Sequence, residues 1–405
     1  MILRRLVVAG VALSALLGSG AAPAAAHSNA IQSTPEAGSV VQQTPKAISI
    51  ALSETAVARG STFKVTGPAG ETIATGPVTE QANGQILSVV PRTTLPSAVY
   101  TVRWSALGDD GHVVSGSFRF GVAAANGDDP PGAASLTGAG QRPGSSAAGE
   151  SAIRWAARWA GILAASVLFA GLLLLHRLRR GGEITPEAES RVLRLAPIAW
   201  MVTVFAALAG VVTSAQAGAT GESDLGLLTA SATGRADLAR LAFVGAASVA
   251  LVLLRRWRRG HRVLLWVAFA SAGGALASYA FSGHALTDPS PWYLVAMVVH
   301  VLAAGLWIGG LGAVALTSGV GGVDARTALR RYAAIAVAAL VVVVLTGVAA
   351  AIREVAHWYF LTWSGYGRVV IAKAALVVVI TAIGLVVWRR SRGRSPAGTG
   401  RVVGL

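Results

Sequence analysis

The chain has 405 residues, 54% of them hydrophobic and 13% charged, with a mean hydropathy of +0.60, which is the composition of a membrane protein. The net charge of +16 does not mark a nucleic-acid binder, because the arginines stand in short clusters between apolar runs and not along one soluble face. Cysteine is absent and methionine occurs three times, which excludes disulfides, thiolate sites and methionine-rich metal sites.

Residues 1–26 read as a secretory signal: Arg4 and Arg5, an apolar run from Leu6 to Leu17, and Ala24-Ala25-Ala26 as the cleavage site. Cleavage there leaves His27 at the new N-terminus, where its α-amine and its ring can bind one metal ion together. If cleavage falls elsewhere, His27 is an ordinary loop residue.

Residues 27–122 read as an all-β sandwich. Runs rich in Val, Ile, Thr and Phe (46–52, 62–66, 71–75, 85–90, 99–105 and 113–122) alternate with turn signals such as Gly-Pro-Ala-Gly and Ala-Asn-Gly. Asp110 and His112 lie in the turn before the last strand. Two residues apart, a carboxylate and an imidazole can face one ion, although the same spacing also describes a plain turn with a surface histidine. Residues 123–150 are rich in Ala, Gly, Ser, Pro and Asp and read as a flexible tether.

From 151 to 390 the chain reads as an all-α, polytopic membrane bundle. Seven apolar spans are expected, at 153–176, 195–217, 236–254, 263–284, 292–317, 332–352 and 368–388, each near the ~20 residues needed to cross a bilayer. Arginine clusters follow the first, third, fifth and last spans. By the positive-inside rule this sets the N-terminal domain outside the cell membrane and the C-terminal tail, 391–405, in the cytoplasm.

Ionisable groups inside a bilayer are costly and usually face a bundle interior or a pathway. His284, at the end of the fourth span, and His300, about 12 Å inside the fifth at 1.5 Å per residue, are the pathway candidates. A histidine bonded to a neighbouring helix is the competing reading for each. His176 and His261 flank arginines and read as interfacial. His357 lies in an aromatic loop that an interfacial belt explains. Gly305, Gly309, Gly310 and Gly312 read as close helix contacts. Lys373 could snorkel outward or pair with Glu354.

Several pieces together carry a family likeness. His27, Pro35-Glu-Ala-Gly38, Leu52-Ser-Glu54, Tyr100-Thr-Val-Arg-Trp104 and the segment from Asp110-Gly-His112 to Phe120 resemble the CopC family of extracytoplasmic copper-binding proteins. The resemblance implies an Ig-like or cupredoxin-like sandwich holding Cu(II) on His27, Asp110 and His112. Ser282-Gly-His284, His300 with Trp307-Ile-Gly-Gly310, Arg331-Tyr-Ala, Leu345-Thr-Gly347 and Trp363 to Arg368 resemble the CopD family of copper-resistance or copper-uptake membrane proteins. CopD members are often drawn with eight spans, against the seven counted here.

The combination implies a non-enzymatic membrane protein that captures Cu(II) outside and moves copper, with import favoured, in copper homeostasis or resistance. Its partners are the copper ion, the bilayer and extracytoplasmic copper donors; the oligomeric state is left open. No nucleotide-binding motif points to ATP-driven pumping. The rival expectations are a membrane redox protein with haem or copper on His284 and His300, and a membrane-anchored copper buffer.

Overall fold

A computed structural model describes residues 30–109, 111–137, 142–143, 152–218, 223–256, 261–281, 290–319 and 322–354, with separate stretches between 370 and 389. The N-terminal part is a two-sheet sandwich. One sheet runs β1 (Ala30–Thr34), β3 (Ile48–Leu52), β7 (Ile86–Val89), β6 (Thr79–Gln81). The other runs β10 (Arg142–Pro143), β9 (Val113–Val122), β8 (Ala98–Gly108), β4 (Ala56–Thr66), β5 (Thr72–Ile73), with β2 (Val40–Val41) paired parallel to β9.

The core follows from two-residue alternation. Ile48, Ile50 and Leu52 point inward from β3, Tyr100, Val102, Trp104 and Ala106 from β8, and Phe118, Phe120 and Val122 from β9. Tyr100 lies opposite Phe120 in the β8–β9 register and stacks on it, with ring centroids 5.7 Å apart. Each such fully buried large side chain contributes about 1.5–3 kcal/mol.

Two departures from the expected strand pattern matter later. β4 starts at Ala56, six residues before the strand expected there, and its pairing with β8 shifts register between Val57 and Thr62. Gly60, at φ +91°, makes this bulge possible, and Ser61 holds it: its hydroxyl donates to the Val57 carbonyl and accepts from the Leu107 amide. Bulging turns Arg59 outward. Second, the stretch expected to be a tether is built into the sandwich at its start. Leu136 is buried, Arg119 donates to the Ser135 carbonyl, and β10 pairs with β9. Apolar Pro130 and Leu136 have a hydrophobic flank to cover beside Gly121, which composition alone does not reveal.

The second part is a helical bundle: α1 (Ala152–Arg180), α2 (Pro186–Ala215), α3 (Ala232–Arg256), α4 (His261–Ala277), α5 (Pro291–Gly319) and α6 (Ala325–Glu354). A short turn, Leu227–Ala230, precedes α3, and Ser278–Phe281 extends α4. These are six helices long and apolar enough to cross a membrane, and the chain is a multi-pass membrane protein. The seventh expected span lies largely outside the described residues; Val370–Val379 within it is a shorter apolar helix.

α1 packs against α2, α4 and α5; α2 against α3; α3 against α4; and α5 against α6. The close contacts use small residues. A Cβ on Gly309 would stand 2.1 Å from the Ser166 carbonyl oxygen of α1, and one on Gly310 would stand 1.9 Å from the Tyr332 ring of α6. Arg331 makes a two-pronged bond to Glu183 in the α1–α2 loop, at 2.6 and 2.8 Å, and Tyr332 donates to the Leu306 carbonyl. That guanidinium holds the Glu183 carboxyl below its ordinary range. The arginines ending α1 and beginning α6 therefore share one end of the bundle.

Candidate functional site

The turn joining β8 to β9 carries the first candidate. The Gly108 amide donates to the His112 carbonyl and the Gly111 amide to the Gly108 carbonyl, and Gly111 takes the left-handed conformation at φ 85° that closes the turn. The His112 side chain is exposed at its rim. His27 and Asp110 lie outside the described residues, so the structure gives one expected ligand and the turn that presents it. Among the described residues no three His, Cys, Asp or Glu side chains gather closely enough to hold a metal ion.

His300 lies nine residues into α5, about 14 Å along its axis, and is half-buried against α6. Its Nδ1 is 2.8 Å from the Thr346 hydroxyl, which itself donates to the Val342 carbonyl at 2.6 Å. With the hydroxyl proton so used, Nδ1 carries the imidazole proton and Nε2 keeps the lone pair, the form in which the ring binds a metal ion or accepts a proton. Two motifs 46 residues apart thus meet: His300 and Leu345-Thr-Gly347. Trp307 is buried two turns further along, against Ala339 and Val343. His176, at the arginine-rich end, meets the edge of Trp266 at 5.0 Å. His284, His357 and Lys373 lie outside the described residues.

A polar cluster inside the bundle was missed by sequence reasoning. Asp237 and Arg240, one turn apart on α3, form a buried ion pair, with side chains 5% and 4% exposed. Ser214 of α2 donates to the second Asp237 oxygen at 2.6 Å. Arg240 Nε donates to Ser278 at 3.0 Å, and its guanidinium lies 3.7 Å above the Tyr279 ring. Burying two charges requires this degree of compensation. The readable signal was an i, i+3 acid–base pair in a span otherwise almost free of charge. The cluster joins α2, α3 and the end of α4, whereas His300 faces α6, so the bundle holds two separate polar places.

Comparison with known proteins bears on both halves. The family described as "CopC domain" matches residues 30–123, and "Copper resistance protein D" matches residues 326–402. Protein YobA of Escherichia coli (strain K12) is 34% identical over 98 residues, which are 24% of this chain and 79% of YobA. Copper transport protein CutJ of Bacillus subtilis (strain 168) is 24% identical over 394 residues, 93% of this chain and 70% of CutJ. Among solved structures, PcoC, a methionine-rich copper resistance protein from Escherichia coli, is 30% identical, with a TM-score of 0.22 over 24% of this chain and 99% of PcoC. A CopC match at one end, a CopD match at the other and a relative running through both make this chain a fusion of a CopC domain with a CopD-like membrane region.

Proposed function

We propose that the sandwich captures Cu(II) outside the cell membrane on the α-amine and ring of His27 with Asp110 and His112, and that the bundle carries copper inward past His284 and His300 without a catalytic step. The observation that carries this reading is the exposed His112 in a turn at the end of the sandwich nearest the bundle. Nitrogen and oxygen donors suit Cu(II), which tops the divalent affinity series. The bundle end that meets the sandwich is opposite the arginines closing α1 and opening α6. The positive-inside rule then sets the sandwich outside.

Cellular copper, measured with and without expression of the chain, tests the direction: accumulation is expected to rise, and a fall overturns import. Inserting one alanine before His27, or replacing His112 with Ala, is expected to weaken Cu(II) binding at least tenfold in the purified protein. Unchanged binding by the alanine-extended form removes the amine from the ligand set. A visible absorption band from bound haem would favour the redox reading instead.

A further inference from the structure

The sandwich is seated on the bundle through two features. The β4 bulge aims Arg59 at Asp224, in the segment between α2 and α3. Its Nε and Nη2 donate to the two carboxylate oxygens at 2.6 and 2.8 Å. Gly60 comes so close that a Cβ there would stand 3.0 Å from the Leu227 side chain and 3.4 Å from the Gly218 Cα.

The second feature is a shared helix cap. The first amides of any helix have no partner within it. At α3, the Ala232 amide donates to Asp109 Oδ1 at 2.6 Å, the Thr233 amide and hydroxyl both reach the Asp109 carbonyl at 3.3 Å, and the Gly234 amide donates to Ser231. A residue of the sandwich thus accepts from the first two amides of a membrane helix, beside the helix's own N-cap, Ser231. Asp109 adjoins Asp110 and stands three residues before His112, so the cap fixes the turn that presents them.

We propose that Arg59, Asp109 and Asp224 are positioning residues: they dock the metal-bearing turn on the outer end of α3, and copper passes to the membrane domain from this docked state. The proposal rests on the copper reading above. The chemistry of the contact fits a seat that must release. Arg59 and Asp224 are 57% and 38% exposed, and exposed ion pairs bind weakly and exchange readily. Docking sets the turn above the outer end of α3, the helix that carries the Asp237–Arg240 cluster.

The chain has no cysteine, so thiol cross-linking of the full-length protein in membranes reads docking directly. A58C with L225C, which adjoin Arg59 and Asp224 and leave that pair intact, is expected to be joined by a bis-maleimide, so that cleavage at a protease site introduced between residues 144 and 150 leaves the halves together. N126C with L225C, from the far end of the sandwich, is expected not to be joined. In copper accumulation, R59E is expected to lower the initial rate at least fivefold and R59K to retain half or more of it, both with a Cu(II) Kd within twofold of wild type. Failure of the A58C–L225C cross-link, or an R59E rate equal to wild type, overturns the proposal. A wild-type chain that accumulates no copper overturns the transport reading instead, and the cross-link still decides whether the halves dock.

Discussion

Two arginine–aspartate pairs among the described residues differ in almost everything but their chemistry. Arg240–Asp237 is enclosed by α2, α3 and the end of α4, with side chains about 5% exposed or less; Arg59–Asp224 bridges sandwich and bundle with side chains 57% and 38% exposed. The enclosed pair needs Ser214, Ser278 and the face of Tyr279 to compensate two desolvated charges. The exposed pair needs no such shell, because water already solvates both groups. A buried pair holds helices in one arrangement and is expensive to break, whereas an exposed pair can open and close at little cost.

The comparison breaks most visibly at Asp237. D237A leaves the Arg240 guanidinium buried without its carboxylate and is expected to destabilise the bundle by about 3–5 kcal/mol, read as a fall in thermal midpoint in detergent. Replacing both partners, as D237L with R240M, is expected to recover a large part of that loss, since no uncompensated charge remains. A double variant as unstable as D237A would show that the pair has a role beyond enclosing its own charges.

His300 lies between the two extremes, half-buried and bonded to the Thr346 hydroxyl. T346V removes that partner and is expected to cost about 1 kcal/mol, with a larger effect on copper accumulation than on the thermal midpoint if Nε2 serves the pathway. Equal, small effects on both would return His300 to a packing role.

The smallest effect is expected at the exposed pair and appears as a pH dependence. The bond from Arg59, then that from the Gly226 amide, holds the Asp224 carboxyl below its ordinary value. A depressed carboxylate contributes its docking energy above its undocked pKa and loses it as pH falls through the docked one. Cysteine cross-linking reports proximity alone, so the readout is protease protection of the docked segment in the wild-type chain. Protection is expected to stay level through neutral pH and to fall only in acid below the usual carboxylate range. A loss centred near pH 6.5 would point to histidine instead.

Much of the sandwich was legible because its strands alternate cleanly. The inward series Tyr100, Val102, Trp104, with Phe118 and Phe120 opposite, is visible in the residues themselves. β1, β2, β6 and β10 were not, because strands of two to five residues carry too little period to detect. The first six spans were legible as apolar length, but their polar contents were only half read. His300 drew attention as a lone imidazole, while Asp237 and Arg240 were absorbed into the span that contains them. Arg59 and Asp224, 165 residues apart, carry no local sign of pairing. Their meeting follows from a bulge that Gly60 permits and Ser61 closes, which is tertiary information.

The edge strand β10 has one more consequence. It fastens the chain to the sandwich as far as Pro143, and α1 begins at Ala152, so the covalent leash between the halves reaches no more than roughly 30 Å when fully extended. A leash this short keeps the sandwich at an effective concentration on the order of millimolar at its seat. For the docking proposed above, an interface too weak to hold two separate proteins together would be sufficient, and any departure of the sandwich would be followed by a rapid return to the same helix end.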